Sequence, residues 1–455
     1  MTPRTTGRER FALVAPPVGL RPPYAATSAN KAPVIPVTLL DEGGPFCTPM
    51  GGPFGRRLTA HVGRLVQDRH GDLSFDYDAK WLANPAARPI SRSLPPGEAP
   101  FDRRKCRPFF GGLLPEESQR TGVAGALGVS PANEFALLDR LGGDVAGALS
   151  LLHEGEEPPP APPPGAVESL DDTAFAAILD QLPRRPLLAG EEGLRLSLAG
   201  AQAKLPVVLV DGRPALPSPG QPTTHIVKPE VPRFPGSVAN EAWCMALAAR
   251  VGLDVAAAEP REANGRPYLL VTRYDREARD GMITRVHQED ACQALGVPPE
   301  RKYAAEGGPA FRDLFALTRS YVRTPATDVL KLVGAAIFNL AIGNADAHGK
   351  NFSFLLDASG PRLAPLYDLL STIAWPELSG RLAMRVGRAG TIEELDGEAW
   401  VRFAADAGIT LSFLRRRVAD LAEALDRSSE ALPGPDDLRQ RTSLRVGLIR
   451  QSLLS

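Results

Sequence analysis

Three polar residues in the last third of the chain carry types and spacing suited to chemistry: Asp346, Asn351 and Asp368. Asp346 and Asn351 lie in NADAHGKNFSFLL (344–356), five positions apart, and Asp368 follows in PRLAPLYDLLS (361–371). Phosphoryl transfer uses such a set. One carboxylate orients the attacking hydroxyl and accepts its proton, while an amide oxygen and a second carboxylate hold the metal ions that neutralise a triphosphate. Asp346 and Asn351 alone read equally well as a polar turn with capping side chains. Asp368, placed after the next hairpin, favours the chemical reading.

Other segments fit the same chemistry. In LRLSLAGAQAKLPVV (194–208), the run Leu198, Ala199, Gly200, Ala201, Gln202 and Ala203 is mostly small. Such a loop lets backbone N–H groups approach phosphate oxygens. It is not GxxxxGK[ST], and a plain hairpin competes with the phosphate-loop reading. Lys228 ends the apolar segment THIVKPE (224–230), and Glu241 lies at the start of the following helix. Protein kinases pair a strand lysine with a helix glutamate to fix the lysine on nucleotide phosphates, and they space their catalytic Asp and Asn identically. Taken singly, Lys228 is a solvated charge and Glu241 a first-turn acid favoured by the helix dipole.

Elements must position these residues. Val329, Leu332, Val333, Ala336, Ile337 and Leu340 recur at helical spacing and predict a buried helix that ends at Gly343-Asn344. Asp357 to Gly360 is a hairpin signal. Upstream, 194–200, 204–210, 224–230 and 266–276 read as strands, with a turn at Asp211-Gly212. Residues 171–182 and 240–252 read as helices, the second capped by Gly252. The chain is β-rich and then α-rich, which predicts an α+β fold with two lobes rather than an alternating sheet. Before these lobes, 57–77 predicts strands turning at His70-Gly71, and Ser130-Pro131 opens a helix running to Gly142. Six prolines within 158–164 predict a polyproline II spacer. Residues 1–50 lack lasting periodicity and read as a flexible extension, with Met50 an alternative start. The expected division is 1–50 extension, 51–153 N-terminal domain, 154–167 linker, 168–276 β-rich lobe and 277–455 helical lobe.

Composition sets the outer bounds. A chain of 455 residues holds three units at about 150 residues each. Basic and acidic residues number 52 and 53, a net charge of −1, which lacks the basic excess of a protein that coats nucleic acid. Cys47, Cys106, Cys244 and Cys292 are far apart and form no CxxC pair, so neither a zinc site nor a disulfide framework is indicated. A reducing cytoplasm suits them. The apolar stretch 329–343 is short and interrupted by Lys331 and Asn339, so no membrane span is expected.

Together these segments resemble the HipA family of bacterial serine/threonine kinases, toxins of type II toxin–antitoxin pairs. SLAGAQAKLPV, THIVKPE, NEAWCMALAARVGL, YLLVTRYDR, HQEDACQALGV, NADAHGKNFSFLL and LAPLYDLLS occur in the family's order. LSFDYDAKWL, ISRSLP and PFFGGLLPE match its N-terminal domain. The resemblance runs from about residue 57 to the C-terminus and is weakest beyond about 390. It implies a two-lobed protein-kinase-like fold with an appended small α+β domain, and a bacterial cytoplasmic ATP- and Mg²⁺-dependent kinase. By resemblance, Asp346 is the catalytic aspartate, Asn351 and Asp368 are Mg²⁺ ligands, Lys228 holds ATP phosphates with Glu241 in support, and 198–203 is the loop over them. Ser197 is similar to the serine these kinases autophosphorylate. Tyr274 and His348 line the nucleotide site, with His225 a further candidate. Thr272 and Tyr274 stand where the family places an acidic residue and Phe near adenine, and Ala203 replaces an acid of the loop. Implied partners are a protein of translation such as an aminoacyl-tRNA synthetase, a helix-turn-helix antitoxin of HipB type, and operator DNA reached through that antitoxin. His287, Gln288, Glu289 and Asp290 also match a family motif, for which a helix cap and core hydrogen bonding is the expectation. A small-molecule kinase of aminoglycoside type and a silent nucleotide-binding corepressor are the alternatives.

Overall fold

The computed structural model describes residues 32–41 and 58–454, apart from 98, 161, 163, 164, 166, 280 and 281. An antiparallel sheet comes first: β1 (Val34–Asp41), β2 (Leu58–Gln67), β3 (Leu73–Tyr77) and β4 (Leu149–Leu151), in the order β3-β2-β1-β4. Alternation along β3 turns Leu73, Phe75 and Tyr77 inward. They meet Phe109, Phe110 and Phe135 from the helices that follow: α1 (Ala79–Leu82), α2 (Arg103–Gly112), α3 (Glu117–Leu127) and α4 (Glu134–Leu141).

Two expectations change here. Residues 34–41 are not part of a flexible extension; they form an inner strand paired on both sides. Pro36 argues against a central strand, but β4 pairs only with Val37–Leu39, so Pro36 lies outside that ladder. Residues 1–31 and 42–50 lie outside the described residues, as do 161, 163 and 164 of the proline spacer. The helix read from Ser130 begins at Glu134 instead, because Asn133 Oδ1 accepts from the Ala136 amide at 3.0 Å and caps it. A chain begun at Met50 would lack β1. We expect it to expose β2 and β4 and to be cut within 58–152 by a protease dose the full chain resists, which limited proteolysis followed by mass spectrometry reads directly.

The next unit has α5 (Asp172–Gln181) against an antiparallel five-stranded sheet. Its strands are β5 (Leu205–Val210), β6 (Arg213–Ala215), β7 (His225–Pro229), β8 (Ala258–Ala263) and β9 (Arg266–Thr272), ordered β6-β5-β7-β9-β8. Phe175, Leu205, Val227 and Tyr268 share its core. The helix α6 (Ser237–Arg250) connects β7 to β8. The strand expected at 194–200 does not join this sheet. It makes single bridges to the N-terminal domain, Leu196 with Asp144 and Gly200 with Pro115. An alternating pattern marks an extended segment but not its partner.

A hairpin of β10 (Arg276–Arg279) and β11 (Met282–Arg285) leads into the helical lobe. A small sheet there, β12 (His287–Asp290), β13 (Ser353–Asp357) and β14 (Gly360–Leu363), carries the 344–371 segment. The helices are α7 (Ala291–Leu295), α8 (Phe311–Tyr321), α9 (Pro325–Ile342), α10 (Gly397–Ala407), α11 (Leu411–Ala431) and α12 (Asp436–Ser452). α9 is apolar over most of its circumference, Asp328 and Lys331 near its start excepted, and α8, α11 and α12 cover it. By length and hydropathy it could cross a membrane, but 72% of it is buried as the core of this lobe. The architecture is α+β and bilobal, a β-sheet lobe and a helical lobe, with a small α+β domain in front.

The motif at 287–290 supplies the expected helix cap and core hydrogen bonds, and it does so from a strand. Asp290 caps α7 in a capping box with Gln293; the four residues form strand β12, and His287 and Glu289 reach the N-terminal domain. His287 Nε2 meets the Ile90 carbonyl at 2.7 Å. Glu289 accepts from Ser91 Oγ at 2.6 Å and from the Arg92 amide at 3.0 Å. Beside them Asp144 is buried among Arg273, Arg276 and Arg285. Burial opposes its charge, but the guanidinium groups hold its carboxyl well below the usual range.

Candidate active site

β7 buries Val227 on one face and so presents Lys228 on the other. Lys228 Nζ lies 2.6 Å from Glu241 Oε1 and 2.6 Å from Asp368 Oδ1. Lys228 is 7% exposed and Glu241 2%, so the pair is buried and its charges are balanced by direct contact. Glu241 is not a first-turn acid: α6 starts at Ser237, no acidic residue occupies its first turn, and the carboxylate is engaged by Lys228.

The chain reaches Asp346 through a fixed turn. Gly343 ends α9 in the left-handed region, at φ 71°, where a glycine carries no Cβ penalty. Asn344 Oδ1 accepts from the Asp346 amide at 3.1 Å, and Thr372 Oγ1 from the Ala345 amide at 2.9 Å. The Asp346 carboxylate accepts from Tyr303 OH at 2.9 Å. Burial pushes its pKa up to about 6, against the pull of the Tyr303 hydrogen bond and Lys302. Asn351 Nδ2 donates to Asp368 Oδ2 at 3.0 Å, while Asn351 Oδ1 accepts from the His348 amide at 3.0 Å. Asp368 adopts φ 58°, a left-handed conformation uncommon for a residue with a side chain and characteristic of sites where geometry is imposed. Burial opposes its charge, yet Lys228 and Lys204 hold its carboxyl well below the ordinary range.

The 198–203 loop is anchored from two sides. Lys204 Nζ donates to the Ala199 carbonyl at 2.8 Å, and the Gly200 carbonyl accepts from the Glu116 amide at 3.1 Å. Gly200 has φ 115° and a Cβ there would collide with Lys204 Nζ, so this turn requires glycine. Burial and the neighbouring Lys228 charge lower the Lys204 pKa to about 8. Leu198 is buried, and Ala201 lines a cavity of about 1020 Å³ that Asp346 and Tyr303 also line. Gln202 and Ala203 are half-buried.

Other candidates are placed differently. Ser197 is 0% exposed and its Oγ donates to the Leu113 carbonyl at 2.8 Å, so in this arrangement it is sealed under the N-terminal domain. His348 is buried, which pushes its pKa down to about 3, and its ring stands edge-on to Tyr303 at 5.3 Å. Its Nδ1 is buried without a partner. Tyr274 donates to Gln288 Oε1 at 2.7 Å and lies against Tyr367, ring centroids 5.6 Å apart. His225 Nδ1 meets Thr224 Oγ1 at 2.9 Å.

Sequence reasoning missed Glu116, Lys302, Lys350, Tyr303 and Lys204. Glu116, from the N-terminal domain, reaches Lys302 Nζ at 2.8 Å and Lys350 Nζ at 2.8 Å, both lysines being buried residues of the helical lobe. Burial opposes its charge, but Lys350 and Lys302 bring its pKa down to about 2. Glu116 sits within PFFGGLLPE and Lys350 beside Asn351, but a contact spanning more than two hundred residues leaves no local pattern.

Among the described residues no group of three or more His, Cys, Asp and Glu side chains is arranged for a metal. Asp368 and Asn351 supply an oxygen pair at most. That suits Mg²⁺, which takes one or two carboxylates and completes its shell with phosphates and water, and it does not suit zinc. The ammonium of Lys228 already meets one oxygen of Asp368, a position that favours positive charge.

Residues 196–430 match the family model described as the HipA-like C-terminal domain, and 58–152 the HipA N-terminal domain. The Sinorhizobium fredii protein Y4mE is 61% identical over 374 residues, 82% of this chain and 88% of that one. The serine/threonine-protein kinase toxin HipA of Shewanella oneidensis is 31% identical over 354 residues, 72% of this chain and 78% of that one. The fold is similar to Shewanella oneidensis HipA solved with HipB and operator DNA, at TM-score 0.72 and 26% identity, covering 87% of this chain and 95% of that one.

Proposed function

The chain belongs to the HipA-like kinase toxin family, and from that premise we propose that it is an ATP- and Mg²⁺-dependent protein serine/threonine kinase, the toxin of a toxin–antitoxin pair. The observation that carries this reading is Lys228, bonded at once to Glu241 and Asp368 while Asn351 bonds the other oxygen of Asp368. In this reading Lys228 holds nucleotide phosphates, Glu241 keeps it extended, and the loop 198–203 covers the phosphates with backbone N–H groups. Asn351 and Asp368 would hold Mg²⁺, with the Asn351 amide turned to present its oxygen. Bound Mg²⁺ supplies neutralisation of the charge on the transferred phosphoryl group. Asp346, open to the cavity, orients the serine or threonine hydroxyl and accepts its proton.

Ser197 is the proposed autophosphorylation site. Its burial means that the segment leaves the Leu113 carbonyl before the hydroxyl can react. A phosphate there carries about two negative charges, which cannot return to a fully buried position beside the loop. The target class proposed is a translation protein such as an aminoacyl-tRNA synthetase. The Shewanella complex supports a helix-turn-helix antitoxin partner that brings the kinase to operator DNA, and the net charge of −1 suits indirect contact.

The test is expression in a bacterial host with phosphoproteomics of the arrested cells. The account expects growth arrest with one dominant phosphorylated translation protein, and neither on expression of Asp346→Ala. Arrest by both forms would overturn it.

A further inference from the structure

Beyond Asp346 the cavity is lined by guanidinium groups: Arg312, which is paired with Asp313, and Arg233, Arg381, Arg385, Arg388 and Arg402. All are exposed. Arg388 is paired with Asp396 and with Glu398. Arg233, Arg381, Arg385 and Arg402 have no ion-pair partner among the described residues. They come from separate parts of the chain: the β7–α6 connection, the irregular segment before α10, and α10 itself.

Arg381 and Arg385 converge. A Cβ built on Gly390 would lie 3.4 Å from Arg381 Nη2 and 4.0 Å from Arg385 Nε. Glu394 borders the same point, its carboxylate accepting from the Gly390 amide at 2.8 Å; this single anion forms no ion pair with either arginine among the described residues and leaves the two guanidinium groups with an excess positive charge. Like charges brought together are costly without a counter-anion, and paired guanidinium forks match carboxylates. The acids on the same lining, Glu117, Glu306 and Asp406, form no ion pair with these four arginines. Phe234, Leu378 and Leu382 add apolar surface between the charges.

We propose that this arginine-lined half of the cleft docks an acidic polypeptide segment, so that the hydroxyl offered to Asp346 belongs to a serine or threonine flanked by Asp or Glu. The proposal rests on the kinase reading of Asp346. A polypeptide is favoured over RNA because these arginines meet in a single cleft of about 1020 Å³ in a chain of net charge −1, whereas RNA binding draws on extended basic surface.

The test uses the full chain and three fluorescent probes read by anisotropy at low salt: a short peptide with a central serine among glutamates, the same peptide with lysines, and oligouridine. The glutamate peptide should bind best. Arg381→Glu with Arg385→Glu should weaken it by at least about tenfold and strengthen the lysine peptide. Arg402→Glu, on a different element, should weaken it in the same direction should the double variant fold poorly. Oligouridine or the lysine peptide binding the wild type as tightly as the glutamate peptide, or an unchanged affinity in the variants, overturns the docking site. Adding Mg²⁺ and ATP to the same samples separates the two claims. An acidic peptide bound but never phosphorylated overturns the kinase reading alone, and a lysine peptide phosphorylated in preference overturns the docking site alone.

Discussion

Asp346→Asn should lower phosphoryl transfer by about 10²–10⁴-fold, the span associated with a positioned general base, and leave the unfolding midpoint unchanged. The amide retains an oxygen to accept from Tyr303 OH, now 2.9 Å from the carboxylate, so the turn keeps its contacts while the proton acceptor is gone. The pH dependence follows from the Asp346 carboxylate, which is open to the cavity but desolvated by the protein packed around it, so that its pKa is raised to about 6. Only the ionised form accepts a proton. Activity should therefore hold above pH 6 and fall about tenfold per unit below it. The Tyr303 hydrogen bond lowers this pKa, so Tyr303→Phe should move the acid limb to higher pH. Initial rates of ADP formation across the pH range check both statements, and a limb indifferent to Tyr303→Phe would contradict the assignment.

Glu116→Ala should be the most destabilising single substitution near the site, by about 3 kcal/mol. It leaves Lys302 and Lys350 buried without the carboxylate they share. Glu117, 3.5 Å from Lys302, and Asp290, 3.8 Å from Lys350, compensate only in part. The same contact predicts a pH dependence with a definite sign. The folded pKa of Glu116, about 2, lies below its ordinary 4.5. Its contribution is present above pH 4.5 and lost as the pH falls toward 2. Denaturant unfolding should show this slope in the wild type and a reduced one in Glu116→Ala. Glu116→Gln should recover part of the midpoint by hydrogen bonding alone. An unchanged midpoint in Glu116→Ala would show that the N-terminal domain is not latched to the helical lobe through this residue.

The fold class was legible because local patterns there agree with the tertiary structure. Residues 329–340 are apolar apart from Lys331 and Asn339 and form a helix buried over most of its surface. Asp171, Asp290 and Gly343 mark helix ends that the structure keeps. The Asp346, Asn351 and Asp368 set was legible because the turn and hairpin that join them are short. β1 was missed for the opposite reason: its eight residues are flanked by prolines and glycines, and only pairing with β2 and β4 makes them a strand. Segment 194–200 looked like a strand because it is extended, yet its partners Pro115 and Asp144 belong to the other domain. The cap and core hydrogen bonding of 287–290 were legible, but not their partners, since Ser91 and Ile90 lie almost two hundred residues away. What sequence withholds here is the seam between domains, where Glu116, Asp144 and Glu289 each satisfy partners that no periodicity links.

The central claim is phosphoryl transfer from ATP at Asp346, and the most direct measurement is the phosphate acquired by the purified chain itself. Wild type and Asp346→Asn are incubated with γ-labelled ATP, with Mg²⁺ or with EDTA, and the label is counted and mapped. The account predicts label on Ser197 in the wild type with Mg²⁺, and none with EDTA or in Asp346→Asn. Equal label in Asp346→Asn, or label that persists in EDTA, would contradict it.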